Sequence, residues 1–176
     1  MPLITNFADD FAVKLFSLVI VLIGCFYKNK KLILVGILAF ASVCLCHDLT
    51  LYLKQLFLQN RPFISLNDVN LLVSKDVFAH DYNFSFPSGH TSNIFSFATA
   101  VGLNYSLKIR EKTFKSAWIL FPIAGFLGIV RIYIGVHFPF DVLIGALVGI
   151  CSALIAVKIF KCIFKVFSVD FNTLND

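Results

Sequence analysis

Five runs of apolar residues, at about 11–27, 32–55, 88–107, 116–136 and 139–163, occupy most of the chain, and each is continuous rather than alternating. That pattern predicts helices: a half-buried strand alternates apolar and polar positions, whereas roughly 20 apolar helical residues cross the ~30 Å hydrocarbon core of a bilayer. Polar residues gather at the run ends and in one longer connection, 63–86. Its Leu66, Leu71, Leu72 and Phe78 predict an interfacial lid or short amphipathic helix. The first run is the shortest and carries Lys14, a side chain able to snorkel to the interface. Gly145 and Gly149 in the last run, with Gly125 and Gly128 in the fourth, predict close helix packing, within the bundle in preference to between chains.

Composition removes the soluble alternative. With 59% hydrophobic residues, 14% charged residues and a mean hydropathy of +0.86, the chain has too little polar surface to cover a water-soluble domain of 176 residues. The expected fold is all-α: a single integral membrane helical bundle over 1–176, with about five transmembrane helices. The five cysteines, Cys25, Cys44, Cys46, Cys151 and Cys162, lack metal-ligand spacing and read as small core residues. Met1 to Asp10 holds two acids and no base, so no removable signal peptide is expected.

Charge then orients the bundle. With five spans, the basic groups Lys28–Lys31, Lys108–Lys115 and Lys158–Lys165 share one side, which the positive-inside rule makes cytoplasmic. The opposite, outward side receives the acidic N-terminus and the 63–86 loop with Asp68, Asp76 and Asp81. It also receives three basic residues, Lys54, Arg61 and Arg131, that belong to clusters with chemical meaning.

Lys54 and Arg61 are seven residues apart, so a helix continuing past Lys54 projects both from one face before Pro62 ends it. Pro87-Ser88-Gly89-His90 opens the third run. Pro and Ser suit a helix start, Gly lets a ligand approach the backbone, and the free N–H groups make an anion seat. Arg131, His137 and Asp141 bracket the junction of the last two runs. In a helical turn, the i,i+4 carboxylate of Asp141 would orient His137 and leave its other ring nitrogen free as a nucleophile. Each cluster alone has a bland reading, as snorkelling bases, a plain helix start or a structural His–Asp pair. Their convergence on one membrane face favours function, because ionisable groups there are costly.

Other polar residues carry less. His47-Asp48 either orients Lys54 or pairs with a neighbouring helix, and pairing is favoured. Asp76, His80 and Asp81 are read as solvated rather than as metal ligands, and Asn83-Phe84-Ser85 is a formal glycosylation sequon of little weight.

The ordered spacing Lys54-x6-Arg61-Pro62, Pro87-Ser88-Gly89-His90 and Arg131-x5-His137-x3-Asp141 resembles the type 2 phosphatidic acid phosphatase superfamily, whose pattern is K-x6-RP, PSGH and SR-x5-H-x3-D. The resemblance implies a metal-independent phosphatase without a cofactor. In it, His137 attacks phosphorus to form a phosphohistidine, Asp141 supports the imidazolium, and His90 protonates the leaving oxygen and then activates water. Lys54, Arg61, Ser88, Gly89 and Arg131 would hold the phosphate oxygens. Val130 replaces the family's serine, which implies weaker phosphate binding or altered selectivity rather than inactivity. The family bundle commonly has six spans, and with five apolar runs this chain is expected to lack the first.

The expected substrate is a lipid phosphate, best undecaprenyl diphosphate. Lipid A and phosphatidylglycerophosphate are the competitors. The expected location is a bacterial inner (plasma) membrane with the site facing the periplasm or exterior, among membrane lipids and without a nucleic-acid partner. The oligomeric state is open. A different class, a small transporter or silent lipid-binding scaffold, is disfavoured because transporters place ionisable groups near the midplane and often show repeats, and because both histidines are present.

Overall fold

The computed structural model describes residues 9–66, 69, 84–109 and 112–166. Its helices are α1 (Asp10–Phe26), α2 (Lys30–Phe57), α3 (Pro62–Ser65), α4 (Gly89–Asn104), α5 (Ala117–Tyr133) and α6 (Pro139–Val166). Between α4 and α5 lie two short strands, β1 (Ser106–Ile109) and β2 (Lys112–Lys115). They pair antiparallel with Ser106 opposite Lys115. The five apolar runs all become helices, each within about three residues of the expected bounds. The all-α expectation needs one correction: the basic connection before α5 is a two-stranded ribbon, whose strand Lys112–Lys115 is exposed at every position and carries the strand formers Thr113 and Phe114.

Local chemistry sets the helix ends. Asn29 caps α2 by accepting a hydrogen bond from Leu32 N–H at 3.0 Å, and Leu58, in the left-handed region at φ 49°, stops it. Pro139 opens α6 with its fixed φ at a position that needs no N–H partner. The stretch Lys30–Ser65 and the helix segment Pro139–Ile163 are long and apolar enough to cross a membrane. The other three long helices, of 16 or 17 residues, rise only about 24–26 Å. Large apolar side chains such as Phe26, Trp118, Phe126 and Ile129 are exposed on the outside, the arrangement of a membrane protein rather than of one that must be wetted.

The core lies where α4 meets α2 and α6, with α1 packed on α2 and α5 on α4. Glycines permit the closest contacts. A Cβ on Gly145 would stand 2.8 Å from the Ser88 carbonyl oxygen, and one on Gly149 would stand 2.2 Å from that of Ser92. The small-residue step therefore packs α6 on α4 within the bundle. Gly125, by contrast, has nothing within 4 Å.

Two further expectations change. Lys14 does not simply snorkel: it pairs with Asp10 at 2.8 Å, and Asp10 also meets His47 at 3.3 Å, tying α1 to α2. His47 thus pairs with a neighbouring helix, as favoured. Of the cysteines only Cys46 is a core residue, while Cys25, Cys151 and Cys162 are exposed. Apolar runs present thiols to lipid as readily as to protein.

Candidate active site

Four helix ends meet at one pole of the bundle: the C-termini of α2 and α5 and the N-termini of α4 and α6. Every residue singled out in the three clusters lies there. Lys54 (9% exposed), Arg61 (4%), Arg131 (6%), His137 (3%) and Asp141 (0%) are buried together. Burying three cations with one carboxylate is unfavourable unless a further anion joins them.

The placement of the cations differs from a simple helical face. Helix α2 ends at Phe57, so Arg61 does not share a helix with Lys54; it stands immediately before α3, in extended backbone. From there its guanidinium donates to the Val136 carbonyl at 3.1 Å. The Lys54 ammonium donates to the Phe84 carbonyl. Each base thus straps a different connection to the site. Arg131, in the last turn of α5, has a buried Nε with no hydrogen-bond partner among the described residues, an unspent donor facing a cationic cluster.

The start of α4 supplies backbone. Ser88 precedes the helix, and the Phe86–Pro87 peptide before it is cis. The bond from Ser92 N–H to the Ser88 carbonyl, 2.9 Å, leaves the N–H groups of Gly89, His90 and Thr91 at the open helix end. Ser88 N–H donates to the Asp141 carbonyl at 3.0 Å, stapling α4 to α6. A Cβ on Gly89 would meet Thr50 and Lys54 only at 3.8 and 3.9 Å. Protein packing therefore does not require glycine there. What a methyl would fill is the space beside the Lys54 side chain, where a ligand would approach the backbone. His90 follows, and the charges of Arg131, His137, Arg61 and Lys54 all act on it.

His137 and Asp141 are close but not directly bonded. His137 precedes α6, and its Nδ1 is 3.6 Å from Asp141 Oδ2, beyond a normal hydrogen bond. Asp141 Oδ2 instead accepts from the Phe138 backbone N–H at 2.8 Å and from the Ser85 hydroxyl. The first of these is half of a capping box, a third-position acid reaching back to the residue before its helix. Ser85 Oγ lies 3.4 Å from His137 Nδ1. The expected i,i+4 contact is therefore replaced by a serine between the two, since the turn at 134–138 is not helical. Burial, followed by the charges of Arg61, Arg131 and Lys54, pushes the His137 imidazole well below its ordinary range. That favours the neutral form, the one with a free lone pair.

Ser85 was visible in the sequence only as part of a sequon. Its place two residues before Pro87, as a hydroxyl between Phe84 and Phe86, was the available signal. It is fully buried, and its N–H donates to the Gln59 carbonyl at 2.7 Å. Val130 packs with Ile134 and Val136 in a small apolar cluster, so the position of the missing serine hydroxyl is filled by core. Asp76, His80 and Asp81 lie outside the described residues, as does most of the 63–86 loop. Among the described residues no cluster of His, Cys, Asp and Glu suits a metal ion. Beside the seat, Phe86 stacks on Phe140 at 5.9 Å and meets Phe57 edge-on at 4.9 Å. Phe57 and Phe140 are exposed.

The chain is 33% identical over 127 residues to the Bacillus licheniformis protein named bacitracin transport permease protein BcrC, covering 72% of this chain and 55% of that one. It is 28% identical over 145 residues to undecaprenyl-diphosphatase BcrC of Bacillus subtilis, covering 81% and 65%. The chain thus spans less than two thirds of the length of these relatives. Its fold resembles the crystal structure of Aquifex aeolicus LpxE with a TM-score of 0.65 and 33% identity, over 88% of this chain and 81% of that one. The model of the PAP2 superfamily matches residues 30–164, a stretch that contains all three clusters and the four helix ends that gather them, and the chain belongs to that superfamily.

Proposed function

We propose that this chain is a membrane lipid phosphatase that hydrolyses a phosphate monoester or diphosphate of a lipid through a phosphohistidine at His137. The observation that carries this reading is the burial of Lys54, Arg61 and Arg131 around His137 and the start of α4, a cationic pocket that a phosphoryl group neutralises. The neutral His137 attacks phosphorus through Nε2 as the bond to the leaving oxygen breaks. His90, protonated once the anionic phosphate joins the cationic pocket, gives that oxygen its proton and then takes one from the water that cleaves the N–P bond. Ser88 and Gly89 add seat contacts at the helix N-terminus.

Lipid as the carrier follows from the surroundings. The pocket lies at the end of an apolar bundle, and Phe57, Phe86 and Phe140 form an aromatic ledge beside it, as suits hydrocarbon next to a headgroup-level phosphate. Undecaprenyl diphosphate is the first candidate, supported by the name of the Bacillus subtilis relative; lipid A and phosphatidylglycerophosphate are the alternatives. Transport, the activity in the name of the Bacillus licheniformis relative, is the second reading. The placement of the phosphate-seat charges at the bundle pole favours hydrolysis over it. Purified protein in detergent is expected to release phosphate from undecaprenyl diphosphate, with EDTA present or absent. Release from none of the three lipids, with transport in vesicles, would reverse the reading.

The five long helices are read as five spans, with the site facing outward from a bacterial plasma membrane. In a cysteine-free background, a cysteine at the exposed Ser65 is expected to react with an impermeant thiol reagent on intact cells, and one at Lys112 only after permeabilisation. The opposite labelling pattern inverts the topology.

A further inference from the structure

We propose that Ser85 is a positioning residue that links Asp141 to His137, so that the carboxylate acts on the nucleophile through a serine hydroxyl rather than directly. The proposal rests on the reading of His137 as nucleophile. Its warrant is the geometry. Asp141 Oδ2 stands 3.6 Å from His137 Nδ1 and already accepts from Phe138 N–H. The Ser85 hydroxyl donates to that same oxygen, and Ser85 Oγ lies 3.4 Å from the imidazole nitrogen. A hydroxyl has one proton to give and lone pairs to receive with. Because its proton is directed to Asp141, Ser85 faces His137 as an acceptor. That arrangement, with the Ser85 backbone also bonding the ring, suits a neutral His137 that carries its proton on Nδ1 and keeps Nε2 as the free nucleophile.

The link acquires its function as phosphorus is attacked. The Nε2 lone pair forms the N–P bond, the P–O bond to the leaving group breaks with its electron pair, and His90 supplies the proton to that oxygen. His137 thereby becomes an N-phosphorylated imidazolium whose positive charge is shared with Nδ1–H. The Nδ1–H to Ser85 bond, long in the free enzyme, strengthens with that charge. The hydroxyl passes the polarisation to Asp141 with no net proton transfer. Ser85 itself is held from the other side by its N–H bond to Gln59. The hydroxyl is therefore fixed before substrate arrives.

Removing the hydroxyl deletes a hydrogen bond to a group charged only after attack, so Ser85→Ala should lower kcat on the order of 10- to 100-fold while leaving KM within about twofold. A residue that merely packs predicts no coupling to Asp141. A relay predicts that Ser85→Ala combined with Asp141→Asn is no slower than Asp141→Asn alone, to within about threefold. Should Ser85→Ala fail to purify as folded protein, Ser85→Cys keeps the volume with a poor hydrogen-bonding group and is expected to show the same kcat loss. Wild-type kcat in either variant, or losses that multiply in the double mutant, overturns the proposal. His137→Ala is measured in parallel: turnover there removes the underlying mechanism, whereas an inactive His137→Ala beside a fully active Ser85→Ala removes only the role of Ser85.

Discussion

Replacing His137 with alanine is expected to lower phosphate release by on the order of 10⁴- to 10⁶-fold, as losing the nucleophile of a covalent mechanism does. The same change should abolish an acid-labile phosphoenzyme that wild-type protein forms when quenched within a turnover. His137 is a buried imidazole held in its neutral form by burial and by the charges of Arg61, Arg131 and Lys54. His90→Ala should differ in kind. Loss of leaving-group protonation costs about 10²- to 10⁴-fold, and a substrate with a good leaving group, such as p-nitrophenyl phosphate, should recover much of the first step while the phosphoenzyme accumulates. Turnover in His137→Ala within about tenfold of wild type would sink the scheme, since the cations alone stabilise charge but form no bond.

The second large effect is structural. Gly149→Val should prevent the bundle from closing, because even its Cβ would lie 2.2 Å from the Ser92 carbonyl oxygen and 2.9 Å from Ser96 N. These are backbone atoms of α4, which cannot rotate aside as a side-chain tip can, so α4 and α6 must separate along their length. Overpacking of this kind costs at least about 1–3 kcal/mol. The loss should appear as aggregation in detergent or a large fall in melting temperature. Activity should fall with it, since α4 carries Ser88 to His90 and α6 carries Asp141, joined at the pole by the Ser88 N–H to Asp141 carbonyl bond. Gly125→Ala is the control: nothing lies within 4 Å of that position, so its stability should match wild type or exceed it through better helix propensity. A stable, active Gly149→Val would show that the close α4–α6 contact is not maintained in the bilayer.

Much of the site was legible because its chemistry is local. Pro, Ser and Gly before a helix state their backbone role in the sequence, and a base seven residues from another, beside a proline, marks the end of a span. Spacing along the chain is not spacing along a helix at this pole. Lys54 and Arg61 share no helical face, because Leu58 turns the backbone out of α2 and Arg61 reaches the site from a separate segment. His137 and Asp141 make no i,i+4 hydrogen bond, because the last helix starts at Pro139, after His137, and the carboxylate caps its own helix instead. The ribbon at 106–115 was hidden because eight polar-flanked residues between two apolar runs satisfy a loop as well as two short strands.

The sequence by itself determined the helical membrane class, the bounds of the long helices, the pole at which chemistry gathers and the identity of its cations and histidines. Each of these follows from hydropathy, charge or a short motif, all of which depend on near neighbours in the chain. Only the tertiary structure decided that Ser85 stands between Asp141 and His137, that Val130 belongs to a small apolar core, and that Gly149 rather than Gly125 is the contact on which helix packing turns. These depend on which surfaces of helices far apart in sequence face one another. A hydrogen bond or a 2.2 Å Cβ clash is set by a few tenths of an ångström across that contact, a precision that residue order alone does not carry.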